Sequence, residues 1–161
     1  MEKAIFLDRD GVIIKERGKY NYKVAHTKFV NGIVETLETL KNNGYIFIII
    51  TNQGGIAKGI YTHQDVKEIH KLIKDFFSSF HIAIKDIIYC PHHDSVSKCL
   101  CRKPDSLMLE KAIAKHDIDI TESYFIGDSQ RDVEAGRKAG LQTIKIEPND
   151  NLLNYLNEII K

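Results

Sequence analysis

Asp8 and Asp10 stand two positions apart, behind the apolar run Ala4, Ile5, Phe6, Leu7 and ahead of Gly11. In extended chain, residues i and i+2 project to one side, so both carboxylates can address one small volume. Gly11 then lets the chain turn sharply. Two acids at close quarters repel unless a cation or a shared proton stabilises them. Magnesium answers that need, because it takes oxygen ligands and leaves room for a substrate phosphate. A carboxylate can attack phosphorus once a metal neutralises the repulsion between the two anions. Asp8, at the end of the run, is the expected nucleophile. Asp10 is expected to protonate the leaving oxygen and then take a proton from the hydrolytic water, with its side chain off the metal. Asp128 would complete the magnesium site, with Asp132 orienting it from behind. Thr51 and Lys103 would stabilise charge on the transferring phosphoryl oxygens. Each residue also has a plain alternative: solvated turn aspartates, a turn threonine, a loop lysine, a helix cap.

These residues need elements that bring them together. At 161 residues, 43% hydrophobic and 28% charged, the chain reads as globular and as a single domain. Its net charge of +1 makes no general case for a nucleic-acid or membrane partner. The densest apolar run, Tyr45 to Ile50, is far too short to cross a bilayer, and the N-terminus has no basic-then-apolar leader pattern. A cytoplasmic monomer is expected. Strand-like runs at 1–8, 45–50, 86–89, 124–127 and 142–146 alternate with helix-period segments at 32–43, 62–80, 107–116, 129–139 and 152–160. Thr62 and Asp65 have capping-box spacing. Residues 12–31 lack strong periodicity and read as a flap. The alternation argues for an α/β fold: a doubly wound, Rossmann-like parallel sheet in three layers, with no separate cap domain. Ligands in such sheets sit beyond the carboxyl ends of the strands. Those ends are where Asp8, Asp10, Thr51, Asn52, Gln53, Gly54, Cys90, Asp128 and Ser129 fall.

The four motifs DRDG, TNQGG, CRKP and GDSQRD, in this order and spacing, resemble those of the haloacid dehalogenase superfamily of aspartate-nucleophile phosphatases. The likeness runs from Ala4 to about Ile146. It implies the roles derived above, with magnesium held by Asp8, the Asp10 main-chain carbonyl and Asp128.

All three cysteines lie between Cys90 and Cys101, an odd number that argues against a disulfide framework. Cys90 and His92 are two apart, as are Cys99 and Cys101, so each pair can point one way and the four can close a tetrahedron around zinc. His93 would face away. With no open position the zinc would be structural, pinning the loop that delivers Arg102 and Lys103. This loop resembles that of a subgroup containing D-glycero-D-manno-heptose 1,7-bisphosphate phosphatases and histidinol-phosphate phosphatase domains. TNQGGIAKG and CPHH stand nearer the former. That resemblance implies substrate recognition by Arg102 and a pocket lined by Glu16, Arg17, Gly18 and Lys19. Gly18 and Lys19 replace the heptose family's usual Gly-Tyr pair, and Ser129 stands where some members carry a phosphate-binding lysine.

One further sign concerns substrate charge. Between Arg9 and Lys28 there are six Lys or Arg residues against Asp10 and Glu16, an excess that would attract an anionic substrate and could hold a second phosphate. The expected ligand is a small phosphorylated sugar or metabolite.

Overall fold

A computed structural model describes residues 1–160. Five parallel strands form one sheet: β1 (Ala4–Leu7), β2 (Ile46–Asn52), β3 (Ile84–Cys90), β4 (Tyr124–Gly127) and β5 (Gln142–Lys145), in the order β3-β2-β1-β4-β5. Between them run α1 (Ile33–Asn42), α2 (His63–Ser78), α3 (Leu107–His116) and α4 (Gln130–Lys138), with the short α5 (Leu156–Ile159) at the end. All four residues of β1 are buried, as a strand covered on both faces requires. Ile5 and Leu7 join one core with Leu37, Ile69, Ile73, Phe77 and Ile159. Ala4 and Phe6 join the other, with Met108, Leu109, Ala112 and Ala135. The two-residue period of β1 thus sorts the helices: α1, α2 and α5 on one side, α3 and α4 on the other. Full burial of one such Leu, Ile or Phe side chain stabilises by roughly 1.5–3 kcal/mol.

Connectivity reverses at β1, which pairs with β2 on one side and β4 on the other. In open sheets this switch point is where a crevice opens beyond the strand ends, and here Asp8 and Asp128 flank it. The capping box of α2 forms as its spacing predicts: the Thr62 hydroxyl accepts from Asp65 N, and Asp65 accepts from Thr62 N at 2.8 Å.

The structure corrects three expectations. The terminal helix is not continuous over 152–160: a 3-10 turn at Leu152–Tyr155 precedes α5, because the Asn151 side chain accepts from Leu153 N and tightens the first turn. Residues 12–31 are a flap only in part: Val12, Ile13 and Ile14 are fully buried, while Glu16, Gly18 and Lys19 line a cleft. Gly11 at φ +88° lets the chain fold back, Gly11 N donates to Ile14 O, and Ile14 bridges to Phe29. A tight turn of this kind buries apolar residues without any helix or strand period. Arg9, counted above among charges free to attract substrate, is completely buried and paired with Asp10.

Candidate active site

The strand ends bring Asp8, Thr51, Lys103, Asp128 and Asp132 to one cleft of about 400 Å³. Lys103 is its centre. Its ammonium donates to Asp8 Oδ1 at 2.9 Å, Asp132 Oδ1 at 2.6 Å and Ile50 O at 2.9 Å, which uses all three of its hydrogens. Asn52 fixes the backbone behind it: Lys103 N donates to Asn52 Oδ1 and Asn52 Nδ2 donates to Lys103 O. The far end of β2 therefore aims a loop residue 51 positions away.

Asp8, Asp128 and Asp132 place carboxylate oxygens within 4.8 Å of one another, a hard-oxygen set suited to a divalent cation. Burial, reinforced by Asp132, Asp10 and Asp128 and opposed by Lys103, pushes Asp8 up to about 8. Burial and Asp132, again opposed by Lys103, push Asp128 up to about 6. Clustered acids raised in this way gain most from a bound cation. Asp132 also accepts from Ser129 N and Ser129 Oγ at 3.1 and 2.9 Å, so the cap of α4 orients it. Gly127 is required here, because a Cβ at that position would collide with the Asp132 side chain.

Asp10 lies between this cleft and a second one of about 440 Å³, and lines both. Its carboxylate is turned toward Arg9, Asn21 and Gln53, apart from the three-acid group. The second cleft carries Glu16, Gly18, Lys19, Gly54 and Arg102 on its walls, together with residues the sequence did not assign to it: Tyr20, Asn21, Tyr61, His93 and Arg131. Arg131 reaches both clefts from the first turn of α4. Its position inside GDSQRD, three residues after Asp128, was the available signal.

Not every expected substrate contact is free to act as one. Arg17 is exposed and lines neither cleft, because Gly18 turns the chain at φ +73° and Gly18 N bonds Glu16. Gln53 is buried, its carboxamide committed to Tyr61, Thr51 and Asp10. Asn52 is occupied in holding Lys103, and the Ser129 hydroxyl hydrogen goes to Asp132. Of the basic residues between 9 and 28, Lys19 and the paired Arg9 reach the second cleft; Arg102 and Arg131 supply its other positive charge.

The cysteine loop closes on itself. Cys90, His92, Cys99 and Cys101 offer ligand atoms within 4.8 Å of one another. Around a tetrahedral ion with zinc-like bond lengths, sulfur–sulfur edges would be about 3.8 Å and sulfur–nitrogen edges about 3.5 Å. Cys90–Cys99 and Cys99–Cys101 are both 3.7 Å, and His92 Nδ1 lies 3.5 Å from Cys90 and 3.3 Å from Cys101. Cys90–Cys101 is closer, at 2.9 Å. Burial, then the contact with Cys101, raises Cys90. Against burial, backbone hydrogen bonds at Arg102 and Cys101 bring Cys99 down. His93 faces away from the group, toward Ser95 and the Gly54 turn. The loop docks where Gly54 leaves room: a Cβ there would press on His93, Arg102 and the His92 carbonyl.

Residues 7–146 match the family described as haloacid dehalogenase-like hydrolase, and the chain belongs to that family. Within it, the chain is 37% identical over 141 residues to the D-glycero-beta-D-manno-heptose-1,7-bisphosphate 7-phosphatase of Haemophilus influenzae, covering 84% of this chain and 76% of that relative. It is 40% identical over 142 residues to the D-glycero-alpha-D-manno-heptose-1,7-bisphosphate 7-phosphatase of Campylobacter jejuni, covering 88% and 80%. The crystal structure of D,D-heptose 1,7-bisphosphate phosphatase from B. bronchiseptica, complexed with magnesium and phosphate, superposes with a TM-score of 0.85 at 26% identity, over 97% of this chain and 86% of that one.

Proposed function

We propose that this protein is a magnesium-dependent phosphatase that removes the 7-phosphate from a D-glycero-D-manno-heptose 1,7-bisphosphate. The observation that carries the reading is the join between the two clefts at Asp10. One cleft gathers the acids and Lys103 that phosphoryl transfer needs, and the adjoining one presents Lys19, Arg102 and Arg131 to a substrate that keeps a second phosphate. The names of the relatives and the magnesium and phosphate in the B. bronchiseptica structure support it.

The carboxylates of Asp8 and Asp128, with the Asp10 carbonyl, would hold magnesium. When bound, the ion supplies the positive charge that lets a carboxylate approach a phosphate dianion. Asp8 then attacks phosphorus through a carboxylate oxygen, and the bond from phosphorus to the sugar oxygen breaks. Lys103 keeps its three hydrogens on Asp8, Asp132 and the Ile50 carbonyl and supplies its positive charge beside the phosphoryl group. The Thr51 hydroxyl donates to a phosphoryl oxygen as charge moves onto it. Asp10 delivers its proton to the departing sugar oxygen. Water next attacks the aspartyl-phosphate and gives a proton to Asp10, and inorganic phosphate leaves Asp8 as a free carboxylate. Zinc at Cys90, His92, Cys99 and Cys101 would be structural, since four ligands leave no open position. Three free cysteines gathered in one metal-type cluster accord with a reducing, cytoplasmic setting.

The test is phosphate release from heptose 1,7-bisphosphate, heptose 7-phosphate and histidinol phosphate with magnesium present. The specificity constant should be highest for the bisphosphate and fall when either Arg102 or Arg131 is replaced by alanine. A preference for histidinol phosphate would overturn the substrate assignment.

A further inference from the structure

Arg9 has no solvent exposure, yet its guanidinium is a cation set into the wall of the second cleft. Its guanidinium forks onto Asp10, Nε to Oδ2 at 3.0 Å and Nη2 to Oδ1 at 3.2 Å. Nη2 also donates to Asn21 O at 2.9 Å, and Nη1 lies 3.4 Å from His70 Nε2. Burial and the Arg9 charge hold His70 down at about 3, so its ring stays neutral and can accept from the guanidinium. Two amides complete the ring of donors around Asp10: Asn21 Nδ2 reaches Oδ1 at 3.0 Å and Gln53 Nε2 reaches Oδ2 at 3.2 Å. Each carboxylate oxygen therefore has two partners, and the plane of the group is fixed.

Gln53 is the hinge of this arrangement. Its Oε1 accepts from Tyr61 Oη at 2.7 Å, while Nε2 donates both to Asp10 and to Thr51 Oγ1, the latter at 2.9 Å. A flipped carboxamide would set Oε1 against the Asp10 carboxylate, so the network admits one orientation. By filling an acceptor position on Thr51, Gln53 leaves that hydroxyl's hydrogen able to turn toward a phosphoryl oxygen. Its remaining contact, to Asn52 O, is long at 3.4 Å. Tyr61 is itself clamped by aromatic neighbours on the segment after Gly18, stacked on Tyr22 at 5.4 Å and edge-on to Tyr20 at 5.7 Å.

We propose that Gln53, oriented by Tyr61 and working with Arg9, is a positioning residue that sets the Asp10 carboxyl at the boundary of the two clefts for proton transfer to the leaving oxygen. The inference rests on the phosphatase reading, and its chemistry is the proton step already described: Asp10 gives up one of its four donor contacts to carry the proton, which passes to the sugar oxygen as that oxygen parts from phosphorus. Structural damage would slow every substrate alike. A misaligned acid instead penalises esters whose leaving group needs a proton, and spares esters whose leaving group departs as a stable anion.

The experiment compares an alkyl sugar phosphate with p-nitrophenyl phosphate, with magnesium, for Gln53→Met, Arg9→Lys and Tyr61→Phe. The first keeps side-chain length, the second keeps the charge without the fork, and the third removes one hydroxyl and no packing. Because general acid catalysis contributes about 10²–10⁴-fold, Gln53→Met and Arg9→Lys should lose roughly 10–100-fold more kcat on the alkyl ester than on the aryl ester. Tyr61→Phe, which only loosens the carboxamide, should show the same selective loss at about 3–10-fold. Equal losses on both esters in the variants that melt cooperatively would overturn the positioning role. If the unaltered enzyme hydrolysed no alkyl phosphate, the proposed function would fail first, a result distinct from equal losses.

Discussion

Replacing Lys103 with methionine removes an ammonium that is 3% exposed and bonded to Asp8, Asp132 and the Ile50 carbonyl. Breaking a buried ion pair from one side typically destabilises by about 3–5 kcal/mol, because the other charge is left unpaired. Asp8 can relieve part of this by taking up a proton, so the lower end applies. For a chain of 161 residues, about 3 kcal/mol lowers Tm by roughly 6–12 °C. Magnesium should restore much of that loss, since a cation among the same carboxylates replaces the missing charge and stabilises by mass action. Activity should not return with it. Loss of the fixed positive charge beside the phosphoryl group costs about 10²–10³ in kcat even at saturating magnesium. Scanning calorimetry with and without magnesium, beside steady-state kinetics, reads both effects. A variant that melts with the parent in chelator, or keeps the parent kcat, would refute the placement of Lys103 between the two acids.

Two further predictions concern the metals. If zinc fills the Cys90, His92, Cys99 and Cys101 group as proposed, purified protein should yield zinc to a chromogenic chelator, and Cys101→Ser should lose it and lower both Tm and kcat because Arg102 and Lys103 follow Cys101 directly; no zinc in the parent, or unchanged zinc content in the variant, would refute the four-ligand set. Asp8 and Asp128 are raised to about 8 and about 6, so magnesium must displace protons to bind. Apparent magnesium affinity should therefore climb as pH rises toward about 8 and collapse below about 6, with proton release visible by calorimetry in buffers of differing ionisation enthalpy. By the same sign, the stability that protonated Asp8 gives the metal-free fold is lost as pH rises through about 8. A flat affinity across that range would contradict both shifts.

The fold was legible because its signals are local and periodic. The run Ala4 to Leu7, the helical spacing of Val66, Ile69 and Ile73, and the stop at Gly140 each map onto an element the structure contains. The acids were legible because parallel strands must end on one edge. What escaped is what irregular backbone does. Val12 to Ile14 sit buried in a turn without periodicity, and Asn21, two residues beyond Lys19, folds back to Asp10. Arg9 counted as one of six basic residues able to attract a substrate because composition shows charge and not pairing; its fork onto Asp10 is a tertiary fact. Tyr61 gave a faint signal, since Gly55 has no Cβ where the tyrosine ring lies. Gln53 looked like a substrate contact because its place was right; its burial and its partners are tertiary facts.

The most direct test concerns Asp8 itself. Enzyme mixed with substrate and magnesium, quenched within one turnover and reduced with borohydride, should yield homoserine at position 8 by peptide mass spectrometry, with Asp8→Asn giving neither this product nor phosphate. Steady phosphate release with position 8 unmodified in every quench, or turnover by Asp8→Asn, would contradict a covalent aspartyl-phosphate.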